Sequence, residues 1–166
     1  MRRKTPFLPY VYGGHQERNR RGGTESVPLA VGMGKAAELA RKRLPDYEKK
    51  VRPLRDKLEE GILRLIPNTE LNGHKTQGLA NTTNITFHGI ESEALLILLD
   101  KEGVCASSGS ACLADSDEPS HVIKAMKPES AASDQMIRFS LDAEHSASTT
   151  KTVLAILEEA VLALRI

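Results

Sequence analysis

The chain lacks an excess of either charge, a long apolar run and more than two cysteines, and each lack removes a class of function. Lysine plus arginine total 23 against 22 for aspartate plus glutamate, a formal net charge of +1, so no global field draws the chain to nucleic acid or to an anionic membrane. No stretch approaches the roughly 18 apolar residues of a membrane span. The start, Met1-Arg2-Arg3-Lys4-Thr5-Pro6, is basic and has no apolar centre of the signal-peptide kind. The expected location is therefore the cytoplasm. Cys105 and Cys112 are too few for a structural zinc site, and a disulfide between them would close a small, strained ring that a reducing cytosol opposes. Both are expected to be free thiols, with no metal bound. There is no internal repeat and no low-complexity tract. What is present is a 166-residue chain of 40% apolar content, enough for one globular core and short of two.

The stretch best suited to chemistry runs from Val104 to His121. An apolar tripeptide, Val104-Cys105-Ala106, leads into Ser107-Ser108-Gly109-Ser110-Ala111-Cys112, and Asp115, Asp117, Glu118 and Pro119 close the segment. Small residues on both sides of Cys112 offer no bulk to pack, so the pattern predicts a flexible, exposed loop carrying a thiol. A lone loop cysteine is more often inert than reactive, and context has to decide. Cys105, on the strand expected to launch the loop, reads as a small hydrophobe packed in the interior. An unperturbed thiol, with a pKa of about 8.5, is only a few per cent thiolate at pH 7. The neighbouring acids lower that fraction further, so activation of Cys112 is expected to come from bound substrate and cofactor. Five or six extended residues from either end of the loop span about 17–20 Å, enough for a shuttle.

Around this loop the periodicities predict an α/β sandwich in which helices cover a small sheet. Thr5–Tyr12, with two prolines, reads as an edge strand or an extended arm. Gly13 to Thr24 holds four glycines and three arginines, which suits a backbone approaching an anion, although on pattern alone a solvated basic turn is the commoner reading. A helix is expected from Pro28, with Leu29, Met33, Ala36, Ala40 and Leu44 in period, until Pro45 interrupts it. Tyr47, Val51, Leu54, Leu58, Ile62 and Leu65 mark a second helical stretch, with a bend or a fresh start near Arg52-Pro53. Residues 68–80 read as turns, and Asn84–Phe87 as a strand ended by Gly89. Glu91–Leu99 reads as a helix apolar nearly all round and so buried, and Pro119–Met126 as a helix. Met136–Leu141 reads as a strand and Ser148–Leu164 as the final helix. Arg138 on that last strand is, on pattern alone, as easily a surface cation as a ligand-binding group.

Three motifs in order, Ser107-Ser108-Gly109-Ser110-Ala111-Cys112, Glu118-Pro119-Ser120-His121-Val122 and Ile137-Arg138-Phe139-Ser140-Leu141, resemble the C-terminal part of the NifS-like (nitrogen-fixation type) cysteine desulfurases of the class V aminotransferase family. Gly13-Gly14-His15-Gln16-Glu17 with Arg21-Gly22-Gly23-Thr24 resembles the same family's intersubunit loop. The resemblance implies the small C-terminal α/β sandwich domain of a fold-type I transferase dependent on pyridoxal phosphate. Residues 1–24 would be an N-terminal extended arm and loop from the edge of the cofactor domain, and 25–166 the small domain carrying the cysteine loop. It implies that Cys112 is the nucleophile that takes sulfur from L-cysteine as a persulfide and releases alanine, for iron–sulfur cluster assembly. It further implies that Arg138 forks onto the substrate carboxylate, as lysine could not, and that Thr24 contacts the phosphate of pyridoxal phosphate in the partner subunit of a homodimer. The sulfur acceptor would be an iron–sulfur scaffold or another carrier protein.

The same resemblance exposes departures. In the family the cofactor-anchoring lysine follows a histidine but lies upstream of the Gly-Gly-His-Gln-Glu loop, whereas Lys75, in Gly73-His74-Lys75, lies downstream and reads as a surface residue. Nothing matches that lysine, the aspartate paired with the pyridine nitrogen or the stacking histidine. The chain alone is therefore expected to be inactive, a truncation or a split or fragmentary gene matching the last two-fifths of such an enzyme. Pro45 and Pro53 depart from the family's long helix, and Asp142 stands where many relatives carry glycine. The competing readings are a non-enzymatic sulfur carrier or interaction module, and an inactive fragment.

Overall fold

The computed structural model of the protein describes residues 5–109, 120–128 and 134–165. Cys112, the acids Asp115, Asp117 and Glu118, and Pro119 lie outside the described residues. The chain divides into two units, residues 1–43 and 44–166.

In the first unit, residues 5–12 form no strand, so the edge strand that was one of the two expected forms is absent there, and Leu8, Tyr10 and Tyr12 are exposed. The four-residue α1 (Gln16–Asn19) is a turn of unusual hand, because Glu17, Arg18 and Asn19 have φ of 50°, 59° and 64°. Left-handed backbone costs a non-glycine residue roughly 1–2 kcal/mol, so this turn stores strain. Helix α2 (Val27–Asp46) has Pro28 in its first turn, where a missing N–H and a preset φ are harmless. Its residues Val27, Leu29, Val31 and Met33 are exposed.

In the second unit the expected interruption at Pro45 does not occur. The helix passes Pro45, ends at Asp46 and continues through a π-helical turn, Tyr47–Val51. The π turn lies just ahead of Pro53, and a proline disturbs the turn before it, by its missing donor and by crowding the carbonyl four residues back. Helix α3 (Arg52–Leu65) then starts afresh with Pro53 in its first turn. Three antiparallel strands follow in the order β1 (Thr69–Leu71), β2 (Thr82–Phe87), β3 (Met136–Ser140). Strand β1 falls inside a segment that reads as turns, because three residues are too few to show alternation. Leu71 stands opposite Ile85, Ile85 opposite Ile137, and Asn84 opposite Arg138.

Helices α4 (Ser92–Lys101), α5 (His121–Met126) and α6 (Ala147–Leu164) complete the fold. Helix α4 is not buried all round as its composition predicts. Leu95 and Leu99 enter the core while Ile97 stays exposed, since one sheet face gives a helix only one side to bury. Ser146 caps α6 by accepting from Thr149 N, and Thr149 returns the bond to the Ser146 N–H. Ile85, Phe87, Ile137 and Phe139 form one face of the sheet, packed with Leu58 and Ile62 of α3, Leu95 and Leu99 of α4, and Leu157 and Val161 of α6. This is a two-layer α/β domain with helices over an antiparallel sheet. A buried ion pair is set into it. Arg55 Nη1 donates to Glu59 Oε2 at 3.0 Å, and Thr83 Oγ1 donates to the same oxygen at 2.7 Å.

Candidate active site

Residues directly opposite on antiparallel strands share a face. Alternation therefore sends Asn84, Thr86, Met136 and Arg138 to the side of the sheet away from the apolar core. That face is polar and organised. Asn72 Nδ2 donates to Asn84 Oδ1 and to Thr86 Oγ1, both at 2.8 Å, and Asn84 Nδ2 lies 2.8 Å from Met136 Sδ. Thr86 is fully buried, so its bond to Asn72 offsets a desolvation cost of about 1–3 kcal/mol.

Arg138 is half-buried on this face. Its backbone is tied on both sides, to Asn84 of β2 on one and to Ser107 on the other. Arg138 N donates to Ser107 O at 2.7 Å, and Ser107 N donates to Arg138 O at 3.2 Å. The Ser107 hydroxyl then donates to Gly109 O at 3.1 Å, turning the chain as it leaves the sheet. The described part of the cysteine segment thus starts beside the arginine singled out by sequence. Among the described residues no carboxylate stands against the Arg138 guanidinium, whereas Arg52 pairs with Glu48 and Arg55 with Glu59. A planar, permanently charged fork left unpaired on a polar face suits an anionic ligand.

Two residues differ from their sequence reading. Val104–Ala106 forms no strand, only Ser107 pairing with β3, and Cys105 is exposed. Among the described residues no partner strand stands beyond it to cover the thiol as a packed core residue would be covered. Cys105 instead lines a cavity of about 300 Å³ with Leu58, Phe139, Leu141, His145 and Val153, a mostly apolar hollow that Arg138 does not line. Asp142, the departure after β3, closes its own turn. The Tyr47 hydroxyl donates to Asp142 Oδ2 at 3.0 Å and Glu144 N to Oδ1 at 3.3 Å, and the Tyr47 bond first of all holds the Asp142 carboxyl below its usual range. Lys75 is exposed in a turn where His74 Nδ1 accepts from the backbone of Thr76 and Gln77 at 3.2 Å.

Thr24 belongs to the first unit and is exposed. It follows a loop closed on itself, with Gly22 N donating to Val11 O at 2.8 Å and Gly23 N to Gln16 Oε1 at 3.2 Å. A Cβ on Gly22 would sit 2.7 Å from Gly13 N and 2.8 Å from Tyr12 C, whereas Gly23 has open room on most sides but a φ of +96°.

Sequence reasoning missed the contacts at the far end of the cysteine segment. Lys127, one residue past α5, reaches Glu70 of β1 and donates to Asn72 Oδ1 at 2.8 Å. The Lys127 ammonium, with help from His88, holds the Glu70 carboxyl below its ordinary range. The signal available beforehand was slight, two polar residues flanking Leu71 in a segment of turns. Among the described residues no cluster of histidine, cysteine and acids could hold a metal ion, and no helix is long and apolar enough to cross a membrane.

Comparison with known proteins follows this geometry. A family model described as aminotransferase class-V matches residues 4–153. Cysteine desulfurase 2 of Trichormus variabilis is 50% identical over 165 residues, covering 99% of this chain and 41% of that protein. The cysteine desulfurase NifS of Azotobacter vinelandii is 49% identical over 141 residues, covering 85% of this chain and 35% of its own. Among solved structures, a NifS-like protein aligns with a TM-score of 0.83 at 29% identity, over 99% of this chain and 41% of that one, and a NifS-like protein from Rickettsia africae aligns with a TM-score of 0.78 at 29% identity, over 92% and 39%. The chain spans about two-fifths of the length of the curated relatives it matches.

Proposed function

Because this chain belongs to the class-V aminotransferase family, with cysteine desulfurases among its relatives, we propose that it is the C-terminal portion of a pyridoxal-phosphate-dependent cysteine desulfurase. Residues 1–24 act as an arm at the edge of the cofactor-binding portion, and residues 25–166 as the domain that delivers the thiol. The observation that carries this reading is the half-buried Arg138 guanidinium on the polar face, without a carboxylate partner among the described residues, joined through its own backbone to the start of the cysteine segment. A bidentate grip on the L-cysteine carboxylate by Arg138 holds the substrate next to the point from which Cys112 is tethered.

Pyridoxal phosphate, when bound, supplies an electron sink at the amine-bearing carbon of the substrate. The residues present fit such a group: the exposed Thr24 hydroxyl, at the end of the closed loop and with no hydrogen-bond partner among the described residues, can donate to a phosphate oxygen, as the resemblance implies for the partner subunit of a homodimer. The anchoring lysine belongs to the part of the enzyme this chain does not match. Cys112, as thiolate, attacks the substrate sulfur. An S–S bond forms, the carbon–sulfur bond breaks, its electron pair stays on the three-carbon fragment, and protonation of that fragment gives alanine. Cys112 is left as a persulfide for an acceptor protein, such as an iron–sulfur scaffold.

The test is a hybrid enzyme in which this chain follows the remaining N-terminal length of the Trichormus variabilis relative. The hybrid is expected to release alanine from cysteine. Cys112→Ser should lower that rate by roughly three orders of magnitude or more, while Arg138→Lys should raise KM for cysteine despite keeping the charge. Undiminished turnover in Cys112→Ser overturns the assignment.

A further inference from the structure

The loop that ends at Thr24 is shaped without packing. Between residues 5 and 43 Gly22 is the only buried residue, so hydrogen bonds have to set the course of the chain. One side chain stands at the middle of them. From residue 13 to residue 21 Gln16 alone is half-buried, and its Oε1 accepts from the Gly23 N–H at 3.2 Å. It reaches that amide by lying across Gly14, where a Cβ would meet Gln16 Oε1 at 2.7 Å and Nε2 at 3.0 Å. Beyond Gln16 the backbone turns back through the left-handed residues Glu17, Arg18 and Asn19, and His15 Nδ1 lies 2.7 Å from Asn19 Oδ1. Three such residues in succession persist only where their surroundings over-determine them. The base of the loop is closed separately, by the Gly22 N–H on Val11 O.

We propose that Gln16 is a positioning residue: by holding the Gly23 N–H it fixes the direction in which the Thr24 hydroxyl meets the phosphate of pyridoxal phosphate. This rests on the cofactor reading of Thr24 above. The reason lies in the residue between them. Gly23 has a φ of +96° and open room on most sides, and a glycine passes between left- and right-handed backbone at little cost. Nothing in Gly23 itself therefore directs the chain into Thr24. The closure at Gly22 stops one residue short and leaves both dihedrals of Gly23 free. The bond from Gln16 removes that freedom. A hydroxyl already aimed gives up less entropy on meeting a phosphate oxygen, so a fixed Gly23 raises affinity for the phosphate-bearing cofactor and does nothing for the same ring without its phosphate. Glutamine suits the task, because its neutral amide oxygen accepts from the backbone without bringing a negative charge near the phosphate, as glutamate would.

The test compares binding of pyridoxal phosphate and of pyridoxal, which lacks the phosphate, to the hybrid enzyme, so that any loss of folded protein cancels in the ratio. Thr24→Val should lower the preference for the phosphate form about tenfold, the size of one hydrogen bond to a charged group. Gln16→Leu should lower it about three- to tenfold, and the double variant should fall no further than Thr24→Val alone. In the chain itself, Gln16→Leu should speed exchange of the Gly23 amide about fivefold while Gly22 keeps its rate, and Gln16→Glu, which retains an acceptor oxygen, should keep Gly23 at the parent rate. Parental preference in Gln16→Leu overturns the proposal, as does unchanged Gly23 exchange in that variant or a double variant whose loss is the product of the two single losses. Parental preference in Thr24→Val brings down the reading of Thr24 as the phosphate contact and the proposal with it, so the two failures are told apart by which variant stays at the parental value.

Discussion

The two faces of the small sheet use the same strands for opposite ends. One carries Ile85, Phe87, Ile137 and Phe139 against three helices, and its side chains have no role beyond being out of water. The other carries Asn84, Thr86 and Arg138, where buried polar atoms bond one another and a cation is left without a counter-charge among the described residues. Alternation with period two separates the tasks, so stability and ligand recognition can be altered independently.

That independence can be broken or sharpened by substitution. The largest effect is expected from Phe87→Ala, which empties the fully buried centre of the helix-covered face and should cost about 3–5 kcal/mol in urea unfolding. A cost below ~1 kcal/mol would erase the distinction between faces. Asn84→Ala is expected to cost only about 1 kcal/mol, because Asn72 keeps Thr86 as an acceptor, yet to raise KM for cysteine in the hybrid enzyme by loosening the surroundings of Arg138. Equal KM values in parent and variant would show that the polar network is structural alone.

The smallest effect concerns acid. Glu70 and Asp142 both have carboxyl groups held below their ordinary range, so the folded chain binds fewer protons than the unfolded one as pH falls. Their contribution is complete above the unfolded value of about 4 and is lost as pH drops through the lower folded values. Tyr47→Phe, which removes the first bond holding Asp142 down, should flatten this acid limb slightly in urea titrations run from about pH 5 down through the unfolded value of about 4 and below. A steeper limb would refute the sign.

Local pattern made most of the elements legible. The run Val153, Ile156, Leu157, Val161 and Leu164 marked α6, and Ile137 to Leu141 marked β3, because each carries its own period. The failures share a cause, since each depends on a partner distant in sequence. Whether Cys105 is packed turns on what stands across from Ser107, and nothing near Val104 says that pairing stops there. Strand β1 exists because β2 offers an edge, not because Thr69–Leu71 prefers extension. Pro45 was read by its usual effect on a helix, yet the helix runs through it to Asp46. Arg138 was legible as a candidate; that no acid among the described residues pairs with it became visible only when the fold placed Glu48 and Glu59 with other arginines. The contacts of Lys127 with Glu70 and Asn72 join residues separated by more than half a hundred positions, beyond what any local window reads.

The closed loop before Thr24 has a consequence for how this sequence can drift. Its two adjacent glycines are constrained for different reasons and to different degrees. Gly22 has ordinary backbone angles but no room, so every side chain is refused there, whatever its shape, unless Gly13 and Tyr12 move with it. Gly23 has room but a left-handed φ, so asparagine, the residue that most readily follows glycine into that region, is an admissible heir. A family tree of this loop should therefore show a fixed column beside one that wanders between two letters, and a mutational library should lose every variant at position 22 while keeping a few at 23.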